Sequence, residues 1–200
     1  MLQSIAYRRS SLVPATPSLI AAGQSIFTLM DADRSLEPIT RADLKRLARI
    51  ADEDRADFFS RHPEFAILYG RRLLCSALCE DAALHYLNGV TGVREFSVWS
   101  FYAEHPEAPF PFHRPGRADF GKSKFGRAPD APEGFDGRRV ELHGRSIAAT
   151  PGDEPVEALQ RYLKAAATPS ARELAQKAVV LIAPETLLGV EAWPTLALAP

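Results

Sequence analysis

Two hundred residues with a formal charge of −1 and 46% hydrophobic residues suffice for one sizeable core and supply no global field toward nucleic acid or an anionic membrane. No apolar run reaches the roughly 18 residues that a membrane-spanning helix needs, and a start interrupted by Arg8, Arg9, Pro14 and Pro17 lacks a signal-peptide stretch, so one cytoplasmic domain with no membrane partner is expected. The two cysteines, Cys75 and Cys79, exclude a disulfide framework and, even with His85, offer at most three ligands without zinc-site spacing, which leaves buried thiols.

In chain order, Thr16 with Pro17 predicts a helix start, followed by apolar Leu19, Ile20, Ile26, Phe27 and Met30. Thr40 and Asp43 have capping spacing, and Leu44, Leu47 and Ile50 then recur at helical intervals. A short helix is expected over Asp57 to Arg61, ending before Pro63. Leu73 to Leu78 is an apolar run compatible with a strand or a buried helix. Glu80 to Leu87 has acids in its first turn and Asn88-Gly89 as a stop, which predicts a helix. Arg94 to Tyr102, rich in aromatic and branched residues, predicts a strand.

From Glu107 to Gly137 proline and glycine are too dense for a long helix or a central strand, so a long loop is expected. Arg138 to Ile147 alternates as a half-buried strand does. Glu154 to Ala166 places Val156, Leu159 and Leu163 on one helical face, and Ser170 with Glu173 predicts a further helix reaching Leu181 before Pro184. The order implies an α+β fold with a mixed sheet and flanking helices: a helical section 1–64, a core 65–148 and a C-terminal helical section 149–200.

Metal-assisted nucleotidyl transfer requires carboxylates on adjacent strands, two of them spaced acid-x-acid so that both project from one strand face. It also requires a strand-to-helix turn that presents backbone N–H groups to phosphates, usually with glycine for close approach. The stretch LLCSALCEDAALHYLNGVTGVREFSVWSFY followed by GRRVELHGRSI resembles the nucleotidyltransferase superfamily, the polymerase-β-like fold, over about residues 72 to 147. The resemblance places Glu80 and Asp81 at the nucleotide-binding turn, Glu95 and Ser97 at the acid-x-acid positions and Glu141 at the third carboxylate. It implies metal ligation by Glu95 and Glu141 and a nucleoside triphosphate as ligand. Three departures imply a degenerate site with weak or lost catalysis: Glu80 and Asp81 put negative charge where a triphosphate approaches, and Ser97 stands where a second metal carboxylate belongs. Mg²⁺ held by Glu95 and Glu141 alone is expected to bind weakly.

A second class of reading comes from the loop. Arg114, Arg117, Lys122, Lys124 and Arg127 face one acid, Asp119, so this segment can contact a nucleic acid or a protein partner, and Lys122, Lys124 and Arg127 can reach phosphates as point charges. Phe120 and Phe125 either stack on bases or anchor the loop to the core. Gly116 to Ser123, GRADFGKS, also satisfies the G-x-x-x-x-G-K-S pattern of a phosphate-binding loop. That reading requires a buried strand before it and a helix after it. The histidines show no metallohydrolase spacing.

Overall fold

A computed structural model describes residues 33–110 and 116–194. The helix expected from Thr16 and the basic residue Arg114 lie outside the described residues. The fold is α+β. A six-stranded mixed sheet has the order β3-β4-β2-β1-β5-β6, with β1 Leu73–Cys79, β2 Phe96–Ala103, β3 Gly116–Asp119, β4 Arg139–Ile147, β5 Val179–Ala183 and β6 Glu191–Trp193. Its helices are α1 Arg41–Arg61, α2 Pro63–Tyr69, α3 Glu80–Asn88, α4 Pro155–Ala165 and α5 Pro169–Leu174, with a 3₁₀ turn at Glu185–Leu187. Among the described residues, no helix is long and apolar enough to cross a membrane.

Local chemistry explains most boundaries. Thr40 caps α1 through a reciprocal box, its side chain accepting from the Asp43 N–H while Asp43 Oδ2 accepts from the Thr40 N–H at 2.7 Å. The helix then runs without a break to Arg61, so the expected separate helix at Asp57 is its last turn. Pro63 opens α2, where its missing N–H costs nothing. Gly89, with φ of 69°, ends α3 in the left-handed conformation that glycine adopts freely. Strand β2 is buried along its whole length, which its aromatic and branched composition anticipates.

The C-terminal section departs from expectation. Thr168, not Ser170, caps α5, and the helix ends at Leu174 instead of reaching Leu181. Val179 to Ala183 is strand β5, antiparallel to β1 with Ala77 opposite Leu181. The residues VVLIA are β-branched or apolar and buried on both faces, which satisfies strand geometry better than a one-sided helix. The section 149–200 therefore contributes two strands as well as helices.

Two apolar layers flank the sheet. On one face Leu78, Phe96, Val98, Val140, Leu142 and Val180 pack with Leu44, Leu47 and Ile50 of α1 and Ala82 and Ala83 of α3. On the other, Ala77, Trp99, Phe101, Val179 and Leu181 pack with Leu159 and Leu163 of α4 and Leu174 of α5.

The long loop contains the edge strand β3, and Asp119 at the end of that strand organises the chain from Phe120 to Gly137. Its Oδ1 accepts from the N–H groups of Gly121 at 2.8 Å and Gly137 at 3.0 Å, and its Oδ2 from that of Asp136 at 2.7 Å. The two loop ends cross so closely that a Cβ on Gly137 would sit 2.1 Å from the Gly121 carbonyl oxygen, an approach only glycine permits. Phe120 and Phe125 are buried against Phe96, with ring centroids 4.7 and 5.3 Å away. They anchor the loop to the core and are not available to stack on bases.

Because Thr40 caps the start of the helix that, with α3, covers one face of the sheet, Thr40→Ala should lower stability by about 1 kcal/mol without changing the fold. Urea unfolding at an unchanged denaturant slope is the measurement, and a loss near zero would show that the Asp43 half of the box suffices alone.

Candidate functional site

Strand register builds the site. On β2, Ser97 lies between Cys79 of the antiparallel β1 and Glu141 of the parallel β4, and Glu141 in turn lies opposite Arg117 of β3. Directly opposed residues share a face, so Arg117, Glu141, Ser97 and Cys79 form one row across the sheet. Glu95 precedes β2 by one residue and Arg139 opens β4, which sets them one step further along on the same face. In the other direction comes the pair Trp99 and His143, whose rings stack with centroids 4.5 Å apart.

Glu95 and Glu141 are brought together, but by a side chain that the motif did not include. Arg139 Nε donates to Glu95 Oε2 at 2.9 Å and lies 3.4 Å from Glu141 Oε1, and its Nη2 also pairs with Glu95. The hydrogen bond to Glu95 holds the Arg139 guanidinium even more firmly protonated than usual, against its partial burial. Period-2 spacing in Arg139-x-Glu141 is the sequence signal for a cation on that face.

The strand-to-helix turn is the second feature. Glu80 has φ of 61°, a left-handed backbone conformation in a residue with a Cβ, which costs on the order of 1–3 kcal/mol. Trp99 Nε1 donates to Ser97 Oγ at 3.2 Å, and Ser97 Oγ donates to Glu80 Oε1 at 3.4 Å. Burial pushes the Glu80 carboxyl above its ordinary value. Lys177 pulls it down, Glu173 pushes it up, the Ser97 hydrogen bond pulls it down and Glu95 pushes it up. Asp81 behaves oppositely. Partial burial works against its ionised form, but Lys177 Nζ at 2.7 Å and Arg34 Nη2 at 2.9 Å hold its carboxyl below the usual range.

Arg34, Glu80, Asp81, Arg94, Glu95 and Ser97 line a cavity of about 120 Å³. Liquid water occupies about 30 Å³ per molecule and whole small-molecule sites run from about 300 Å³ upward, so the cavity admits a phosphate-sized group and not an entire nucleotide.

As they stand, the residues do not fit a divalent cation. Two carboxylates and a hydroxyl fall short of the oxygen set that Mg²⁺ favours, and a guanidinium already bridges the two carboxylates. Among the described residues, no group of three or more His, Cys, Asp or Glu side chains is arranged to hold a metal ion. The thiols of Cys75 and Cys79 are free and buried, with burial pushing Cys75 up to about 12 and Cys79 well above its ordinary value.

Two of the loop's four described basic residues, Lys124 and Arg127, are engaged internally. Lys124 Nζ pairs with Asp43 at 2.9 Å and lies over the Phe125 ring, and Arg127 donates to the carbonyls of Ala131 and Pro132. Lys122 is exposed. The phosphate-binding-loop pattern at Gly116 to Ser123 lacks its scaffold: Gly116–Asp119 is a four-residue edge strand, and turns, not a helix, come after Gly121. Its backbone N–H groups therefore have no helix terminus behind them to hold phosphates.

Comparison with protein-family models, with curated proteins and with solved structures gives no match.

The strain and the charge of the turn are each open to measurement. Glu80→Ala keeps the Cβ that strains the left-handed backbone and Glu80→Gly removes it, so the glycine variant should be the more stable by about 1 kcal/mol, the reverse of ordinary helix preference. Equal stability in chemical denaturation, or a more stable alanine variant, would refute the strain. The charge is read through pH. A carboxyl whose folded pKa is raised keeps a proton that the unfolded chain has already lost, so stability falls as pH rises through that range. Glu80→Gln escapes this loss, and its melting temperature relative to the parent should climb from about pH 4 to about pH 7. A difference that stays flat would mean that Glu80 titrates alike in both states.

Proposed function

We propose that this chain is a nucleotidyltransferase-like protein that binds nucleoside triphosphates with weak or lost catalysis. The observation that supports this reading most directly is the row Glu141, Ser97, Cys79 running straight into a left-handed turn at Glu80. The superfamily resemblance implies a strand, a turn, a helix and acids on adjacent strands, and this order of elements supports it, with Glu95 one residue before β2 and Glu141 on β4. The turn at Glu80 keeps the backbone conformation natural to glycine even though the side chain is an acid. Ser97, at the position of the second metal carboxylate, lies opposite Glu141.

The same residues account for weak or lost catalysis. Positioned carboxylates serve nucleotidyl transfer by holding divalent ions against developing charge. Here Glu95 and Glu141 share the single charge of Arg139, Ser97 supplies no charge, Asp81 is already paired with Arg34 and Lys177, and Glu80, when ionised, opposes an incoming triphosphate. Mg²⁺ at Glu95 and Glu141 is held weakly at best. Phosphates approaching the cavity meet cations at Arg34, Arg94 and Lys177, each of which is already paired with an aspartate.

Nucleotide-dependent thermal stabilisation tests the reading. A ligand present at about ten times its dissociation constant adds about 1.4 kcal/mol, which is about 3–6 °C in melting temperature for a chain of this size. The expected result is a shift of this order with millimolar nucleoside triphosphate that depends little on added Mg²⁺. Absence of a shift with every nucleoside triphosphate would favour the other class of function, an interaction module that contacts a nucleic acid or protein through the loop 114–127.

A further inference from the structure

We infer that Arg139 is the built-in cation of this cleft: its guanidinium occupies the place between Glu95 and Glu141 where a divalent ion would be held, and so sets the cleft's low affinity for metal. The inference rests on the proposed function for the identity of the cleft, but not for its test, which uses a metal ion alone.

Three observations converge. Arg139 Nε contacts both carboxylates, Glu95 Oε2 at 2.9 Å and Glu141 Oε1 at 3.4 Å, so one planar group spans acids that come from two adjacent strand segments. The site between the carboxylates is thus filled by a fixed positive charge anchored to the sheet. Second, β4 itself delivers that charge: Arg139 stands two residues before Glu141, and period-2 geometry puts both on one face. Its place in a strand, not a loop, seats it. Third, among the described residues Arg139 is the cation whose ion pairs reach both acids, although Arg117 lies opposite Glu141 in the register. Arg94, the residue before Glu95, turns instead to Asp33 and Asp130.

Displacing Arg139 would free the oxygens of Glu95 and Glu141, with Ser97 opposite Glu141, as hard donors for Mg²⁺ or Mn²⁺, an incomplete set that water must finish. While Arg139 stays, an entering ion must break both ion pairs and sit against a guanidinium that never deprotonates in the accessible pH range. Raising the pH therefore does not open the site, whereas it would release a lysine or histidine in the same place.

The experiment titrates Mn²⁺ alone into the full-length chain and into Arg139→Gln, reading bound ion by calorimetry or electron paramagnetic resonance. Arg139→Gln should bind Mn²⁺ about tenfold more tightly or better than the parent, since a like charge has left the ligand oxygens. Adding Glu141→Gln to that variant should return the affinity to the parent's. Arg139→Lys, which keeps one charge but cannot span both carboxylates, should give a smaller gain and covers the case in which Arg139→Gln fails to fold. A folded Arg139 variant that binds Mn²⁺ no more tightly than the parent overturns the inference, as does a gain that survives Glu141→Gln. Failure of the proposed function would register separately, as a nucleotide shift missing from parent and variants alike while the Mn²⁺ gain persists.

Discussion

The parallel pairing of β2 with β4 is the constraint on which the rest depends. Parallel neighbours cannot be joined by a tight turn, so the chain between Ala103 and Arg139 must cross from one end of the sheet to the other. Among the described residues of that crossing there is no helix. It is a proline- and glycine-rich segment whose shape is held by the Asp119 carboxylate, by the Phe120 and Phe125 rings and by Arg138, whose Nε donates to the Phe125 carbonyl at 3.0 Å. Each of these anchors serves the register. A one-residue slip of β4 would carry Val140 and Leu142 out of the core and Glu141 into it.

That register also decides the electrostatics. Two carboxylates brought to one face repel each other in a partly desolvated setting, and a fold that assembles them must supply a counter-charge from within or from a ligand. The chain supplies it from within at two points. Arg139 serves Glu95 and Glu141, while Arg34 and Lys177 serve Asp81. Glu80 is the exception: a half-buried carboxyl whose hydrogen-bond partner is the Ser97 hydroxyl at 3.4 Å, on a strained backbone. The proposed function therefore rests on a cleft whose acids are mostly satisfied without a ligand.

Much of this was legible in the sequence where the signal was local. The Thr40–Asp43 box, the Asn88-Gly89 stop, the aromatic run of β2 and the alternation of β4 each depend on a few neighbouring residues, and each stands where the pattern put it. Long-range partners were not legible. Val179 to Ala183 is apolar on both sides, and only pairing with β1 distinguishes a central strand from the end of a helix. Lys124 and Phe125 look free to meet phosphates and bases, because nothing in the loop's own residues announces Asp43 or Phe96 as their partners. Within the candidate site the acids are found by spacing. Arg139 escapes notice because the motif consists of acids only, although the same period-2 rule that aligns Glu95 with Ser97 also aligns Arg139 with Glu141.

The strain at Glu80 bears on whether the cleft descends from a ligand site or is only a sheet edge with acids. Left-handed backbone in a residue with a Cβ persists only where surrounding structure over-determines it. Here the determinants are visible: β1 must end at Cys79, opposite Ser97, and α3 must begin at once so that Ala82 and Ala83 reach the core beside Leu44 and Leu47. Packing alone thus enforces the tight turn, and a glycine would satisfy it at lower cost. An acid at that position adds strain and unfavourable charge, with one long contact to Ser97 as its hydrogen bond. Stability does not explain such a residue, since glycine would fit the turn with less strain. A carboxyl lining a phosphate-sized cavity, its pKa raised by burial, repels anions when ionised and is a neutral donor when protonated.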